Sequence, residues 1–199
     1  MSKIRLTING RSVTAAEGQT ILEVCRQYDV HVPTLCHLDG LTDIGACRLC
    51  IVEVENQRRP VPACTTPAEE GMVVLTSTPT LENLRRQTLE LLFGERNHIC
   101  PFCPASSNCE LQTAGYAHRI DHVRYNYLYP VLPVDNSHRY IALDHNRCIL
   151  CTRCIRACDE WIGAHVLDLD NRGSKTVLVA DDGVPLGEST CVSCGTCVS

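Results

Sequence analysis

Hydrophobic and polar positions alternate from the first residues. Ile4, Leu6 and Ile8 fall on one side of a polar-interrupted run, the period-two pattern of a half-buried strand. Asn9-Gly10 follows as a strong two-residue hairpin turn, and Arg11 to Thr14 reads as the returning strand. The period then changes. Thr20 can N-cap a helix carrying Ile21, Leu22, Val24 and Cys25, and Pro33 closes that region. Alternation resumes over Ile51–Glu55, and Gly71 precedes a last strand, Met72–Thr76. Strand, hairpin, helix, cysteine loop and further strands make a β-grasp order, within an α+β fold class.

Beyond about residue 78 the pattern is helical. Thr80 can cap a helix with Leu81, Leu84, Leu91 and Leu92 on roughly one face, which Gly94 would stop. A cysteine-rich stretch from His98 to Cys109 follows, and Glu110 to Arg119 again looks helical. Tyr125 to Pro133, YNYLYPVLP, is a Tyr/Pro connector. A last module opens near Ile141, with two cysteine runs flanking strand-like pieces at 165–169 and 176–180; the two runs resemble an internal repeat. The expected division is 1–78, 79–119, a connector over 120–140, and 141–199.

Composition sharpens this picture. Fifteen of 199 residues are cysteine. Such a content means either a disulfide scaffold or metal ligation. The N-terminus, MSKIRLTING, has no apolar signal region, so a cytoplasmic chain with reduced, metal-binding thiols is expected. No apolar run approaches the roughly 20 residues needed to cross a bilayer. The net charge is −5, which argues against nucleic acid as a partner. No G-x-G-x-x-G loop offers a dinucleotide site.

All the cysteines but Cys25 fall into groups. Cys36, Cys47, Cys50 and Cys64 form C-x10-C-x2-C-x13-C, the logic of plant-type [2Fe–2S] loops with a longer first gap. A four-cysteine zinc site is the competing reading; the β-grasp surroundings favour the cluster. Gly45 stands where a Cβ would obstruct the backbone's approach to such a cluster. Cys100, Cys103 and Cys109 supply three thiolates, one short of a [4Fe–4S] set. A lone histidine is ordinarily a packing or surface residue, but His98 beside three unassigned cysteines is a candidate fourth ligand. Cys148, Cys151, Cys154 and Cys158 form C-x2-C-x2-C-x3-C, the ferredoxin run whose fourth cysteine serves the other cluster. Cys158 should therefore join Cys191, Cys194 and Cys197 on one [4Fe–4S] cluster. Cys148, Cys151 and Cys154 should hold another, whose fourth ligand is expected beyond Ser199, near position 201. Cys25 lies on the apolar face of a helix and reads as a small core hydrophobe. The other histidines read as surface or packing residues.

The order of these groups resembles the N-terminal part of the large iron–sulfur subunit of respiratory complex I. The resemblance is carried by PTLCHLDG, GACRLCIVEVE, CELQ and NRCILCTRCIRACDE. NHICPFC and the short chain are closer to the small diaphorase-module subunit of bidirectional, NAD-reducing [NiFe] hydrogenases. In the complex I subunit the ligand histidine precedes its first cysteine by four positions; Arg96 stands there in this chain, and His98 has the shorter, hydrogenase-type spacing. The resemblance implies an electron relay with one [2Fe–2S] and three [4Fe–4S] clusters, and no catalytic residues of its own. The implied partners are a flavin subunit holding FMN and NAD(H), and the small and large subunits of a [NiFe] hydrogenase. The corresponding segments of an NAD-dependent formate dehydrogenase or of complex I are the alternative, and a zinc-bound structural adaptor or a free soluble ferredoxin are readings of other kinds.

Overall fold

A computed structural model describes residues 2–198. The chain forms two units, one of residues up to 37 with 43–90 and 107–122, the other of 38–42, 91–106 and 123 onward.

The first unit is built on a five-stranded sheet, ordered β2-β1-β5-β3-β4, of β1 (Lys3–Ile8), β2 (Arg11–Ala16), β3 (Ile51–Val54), β4 (Val61–Pro62) and β5 (Val73–Leu75). β1 and β2 pair antiparallel from Lys3↔Ala16 to Ile8↔Arg11, while β1 and β5 run parallel. The hairpin turn works because Asn9 and Gly10 both adopt positive φ, 50° and 80°, the conformation a two-residue turn between twisted strands demands. α1 (Ile21–Gln27) starts with a capping box. The Thr20 hydroxyl accepts from the Glu23 N–H, and the Glu23 carboxylate accepts from the Thr20 N–H. Its buried face, with Ile21, Leu22, Val24 and Cys25, packs against Leu6, Ile8 and Val74 of the sheet. Burial pushes the Cys25 thiol up to about 11, as befits a cysteine acting as core.

α2 (Pro79–Glu95) differs from its sequence-based outline. The cap is Thr78, whose hydroxyl accepts from the Leu81 N–H at 3.2 Å. Pro79 is already suited to the first helical position, so the start lies ahead of Thr80. Gly94 does not stop the helix, which runs on to Glu95. Its buried stripe is Leu81, Arg85 and Leu89, at spacing four, and Leu91 points outward. α3 (Glu110–Ala117) ends before Arg119, which takes a positive φ of 53°.

In the second unit the Tyr/Pro segment has no regular structure. It leads into a two-residue strand, β6 (Val134–Asp135), paired with β7 (Leu143–Asp144). Asp135 accepts from the N–H groups of Leu186 and Ser137, and these bonds hold its carboxyl below the usual range. α4 (Arg153–Arg156) continues into a wider turn over Ala157–Ile162. β8 (Leu167–Asp170) and β9 (Val177–Ala180) form an antiparallel hairpin. A small core joins Ile141, Cys158, Val166, Leu167, Leu178 and Leu186. Among the described residues, no helix is long and apolar enough to cross a membrane.

Candidate metal centres

The N-terminal cysteines sit against the apolar core. Cys36, Cys50 and Cys64 are each about 1% exposed. They form two pairs. The Cys47 N–H donates to Cys36 Sγ at 3.5 Å, and the Cys50 and Cys64 sulfurs lie 3.4 Å apart. The thiol contact with Cys36 brings Cys47 down to about 5 while Cys36 is raised; Cys50 is lowered and Cys64 raised in the same way. Main-chain N–H groups add to the lowering, Leu49 toward Cys47 and Ala63 toward Cys50. Metal uptake at such a site would release the remaining protons. Gly45 has φ +61°, and a Cβ there would meet Thr65 Oγ1 at 3.4 Å and Pro62 Cβ at 3.6 Å. Backbone conformation is thus the main reason for a glycine, and the nearest obstruction is Thr65.

Arg85, unmarked in the sequence reading, holds this cysteine loop. It is 2% exposed and donates to the carbonyls of Leu49, Ile51 and Thr76 at 2.8–3.2 Å, with Glu82 Oε1 at 2.9 Å as its counter-charge. A basic residue at helical spacing between two buried leucines was the signal available in the sequence.

His98 is held by the segment that follows α2. Its ring packs edge-on to Phe93, 5.9 Å between centroids, and its Nε2 is buried without a hydrogen-bond partner among the described residues. Burial, with Arg147 and Arg96 nearby, brings it down to about 4. The imidazole is therefore neutral at physiological pH, the form in which histidine ligates metal. Cys100 opens a tight turn, Cys100–Phe102, which Cys103 closes with an N–H bond to the Cys100 carbonyl. Cys109 is the N-cap residue of α3.

The two C-terminal runs repeat one backbone shape. Leu150 and Thr152 have φ of 54° and 59°; Ser193 and Gly195, at the matching places, have 59° and 76°. Left-handed residues alternating with others turn successive N–H groups toward one side and so make concavities suited to anions. The Leu150 N–H meets Cys148 Sγ at 3.3 Å. One cavity is lined by all of Cys158, Cys191, Cys194 and Cys197, with Ile141 and Leu186 among its apolar walls. A second is lined by Cys148 and Cys154, and again by Cys197, with His145 and Leu178. Burial pushes the Cys154 thiol up to about 12. Among the described residues, no three His, Cys, Asp or Glu side chains gather around a single-ion position. The fourth ligand expected beyond Ser199 lies outside the described residues.

Comparison with known proteins follows the same three-part order. Residues 1–79 match the 2Fe-2S iron-sulfur cluster binding domain, 85–124 the NADH-ubiquinone oxidoreductase-G iron-sulfur binding region, and 139–186 the ferredoxin-like domain of NADH-quinone oxidoreductase subunit 3. The NADPH-Fe(3+) oxidoreductase subunit alpha of Geobacter sulfurreducens is 35% identical over 98% of this chain, which spans about 23% of that relative's length. The NAD-reducing hydrogenase HoxS subunit gamma of Cupriavidus necator is 35% identical over 89% of this chain and 76% of its own. A chain in the crystal structure of NAD+-reducing [NiFe]-hydrogenase in the H2-reduced state superposes with a TM-score of 0.88 at 37% identity, covering 94% of this chain and 79% of that one. Cysteine groups, fold and similarity to the gamma subunit over most of both chains place this chain in the family of iron–sulfur electron-transfer subunits common to NAD-reducing hydrogenases and complex I-like oxidoreductases.

Proposed function

We propose that this chain relays electrons between a flavin subunit that handles NAD(H) and the small and large subunits of a [NiFe] hydrogenase, in the cytoplasm, without converting substrate itself. The observation that carries this reading is the coverage of the gamma subunit, most of both chains. In this reading Cys36, Cys47, Cys50 and Cys64 hold a [2Fe–2S] cluster, supported by the contact of Cys47 with Cys36 Sγ and by the close Cys50 and Cys64 sulfurs. His98, Cys100, Cys103 and Cys109 hold a [4Fe–4S] cluster, and the neutral imidazole supports His98 in that role. Cys158, Cys191, Cys194 and Cys197 hold a second, supported by their common cavity. Cys148, Cys151 and Cys154 supply three ligands to a third. Bound clusters supply reversible one-electron transfer. The chain's own work is to present thiolates, direct N–H groups at sulfur and keep water away, which together set potential.

Anaerobic purification of the native protein with its partners tests the proposal. About fourteen irons per chain are expected, together with flavin and nickel subunits in the same complex. Zinc in place of iron would overturn the cluster reading. The match to a quarter of the Geobacter NADPH-Fe(3+) oxidoreductase subunit favours a second reading, the relay segment of a different pyridine-nucleotide oxidoreductase. Partners without nickel would select it.

A further inference from the structure

Two buried arginines invite comparison, because one is saturated with partners and the other is not. Arg96 is 2% exposed. Its Nη2 donates to the Thr176 carbonyl, but Nε and Nη1 are buried and meet no acceptor among the described residues. An unpaired buried guanidinium carries a desolvation penalty of several kcal/mol in principle, so an anion belongs beside it.

The surroundings say where. Asn97, the next residue, is bonded to the loop that delivers Cys148: its Nδ2 donates to Asn146 Oδ1 at 2.7 Å, and its carbonyl accepts from Arg147 Nη1. Thr176 leads into β9, whose Leu178 lines the cavity shared by Cys148 and Cys154. Of the other ionisable groups, His145 and Asp144 line this cavity, with Arg147 on the same loop. Asp144 and Glu95 are the nearby acids, and Asp144 is engaged by Arg147 at 3.5 Å and by Asn146.

We propose that Arg96 is the internal counter-cation of the [4Fe–4S] cluster on Cys148, Cys151 and Cys154, with Nε and Nη1 as donors to its sulfurs, and that it holds this cluster's potential up. The inference rests on those three cysteines carrying a cluster. A four-iron cluster on thiolates is anionic and gains one more negative charge on reduction. A fixed cation in a low-dielectric site therefore favours the reduced form. Arg96 is a positioning and tuning residue, with no role as a ligand.

The test is an EPR-monitored redox titration of the iron-loaded full complex. The signal of this cluster is identified as the one lost in Cys151→Ser. Arg96→Gln keeps a donor for the Thr176 carbonyl and removes the charge. It should lower that cluster's reduction equilibrium constant at least tenfold, about 59 mV for one electron. Arg96→Lys keeps the charge and should recover most of the shift. An unchanged potential in Arg96→Gln, a shift confined to another cluster, or no recovery by lysine would each overturn the proposal. If Arg96→Gln fails to retain iron, wild-type protein with 15N in its arginine side chains gives an independent reading: pulsed EPR should show 15N coupling to the same cluster, and its absence overturns the inference. A wild-type protein with no four-iron signal sensitive to Cys151→Ser would instead defeat the underlying ligand assignment.

Discussion

The two units treat their cysteines in opposite ways. In the first, Cys50 and Cys64 belong to a core that also joins a sheet and a helix, and Leu6, Ile21, Leu22 and Val52 close it with apolar contacts alone. In the second, Cys158 is the buried cysteine and Cys194 is exposed; the rest are partly exposed, and Cys148, Cys154, Cys158, Cys191, Cys194 and Cys197 line two cavities. The arginines repeat the contrast. Arg85 finds three carbonyls and a carboxylate within the protein, whereas Arg96 finds one carbonyl. The first unit closes its core with polypeptide. The second leaves cavities beside its cysteines, so the proposed ligation there would contribute folding free energy directly.

Removing the metal is the strongest way to break this comparison. Iron chelated anaerobically from the full protein should leave β1, β2, β3 and β5 protected against hydrogen exchange. Protection in β8 and β9 should fall by roughly 100-fold or more, because local opening there is limited by a small core. Equal loss in both sheets would show that the N-terminal core also depends on its cluster, and the contrast would fail.

A smaller effect should come from Arg85→Ala. The substitution strands the carbonyls of Leu49, Ile51 and Thr76 in a buried setting, and unsatisfied buried groups each cost about 1–3 kcal/mol. Water entering the vacated space offsets part of this, so a loss of about 3 kcal/mol is expected. Urea unfolding followed through the visible absorption of the [2Fe–2S] site should report it, with faster bleaching at fixed urea. Arg85→Lys should recover only part, since one ammonium cannot reach all three carbonyls as the planar fork does. An unfolding midpoint unmoved in Arg85→Ala would mean that the loop is held by its cysteines alone.

What the sequence made legible follows the same divide. The β-grasp order could be read because each of its signals is local: Asn9-Gly10 for the hairpin, Thr20 with Glu23 for the helix start, and period-two alternation for β1 and β3. α2 was displaced because Thr78 and Thr80 are both plausible caps, and the choice between them turned on the helix-starting fit of Pro79. β6 and β7 could not be read, since two-residue strands carry no period. The cysteine spacings delivered the candidate ligands. They gave no hint of Arg85 or Arg96, whose importance comes from which carbonyls the folded chain brings to them.

The mildest test compares one substitution at two glycines. Gly45, before Cys47, and Gly195, between Cys194 and Cys197, have φ of +61° and +76°. Alanine at either should cost roughly 1–2 kcal/mol from the left-handed backbone alone. The neighbours add little. At Gly45 the closest atom to the new Cβ is Thr65 Oγ1 at 3.4 Å, near ordinary contact, and at Gly195 there is nothing within 4 Å. The two sites therefore receive almost the same strain and differ in what surrounds them. In Gly45→Ala the apolar core should absorb it, lowering the unfolding midpoint slightly while iron content holds. In Gly195→Ala the same strain is set against a module whose small core depends on ligation, so it should appear as faster iron loss from the C-terminal clusters at ordinary temperature. Thr152, at the place matching Gly195 in the other run, already bears a left-handed backbone with a side chain, φ 59°, and its hydroxyl is bonded to the Cys151 carbonyl and accepts from Arg156 Nε. Gly195→Thr can regain such bonds only if a matching acceptor and donor lie at that place, so it should fall between glycine and alanine where they do and no better than alanine where they do not. Iron release measured by chelator absorbance across the wild type, Gly45→Ala, Gly195→Ala and Gly195→Thr separates these outcomes. Equal release from Gly45→Ala and Gly195→Ala would erase the distinction between a unit closed by its own core and one closed by what it binds.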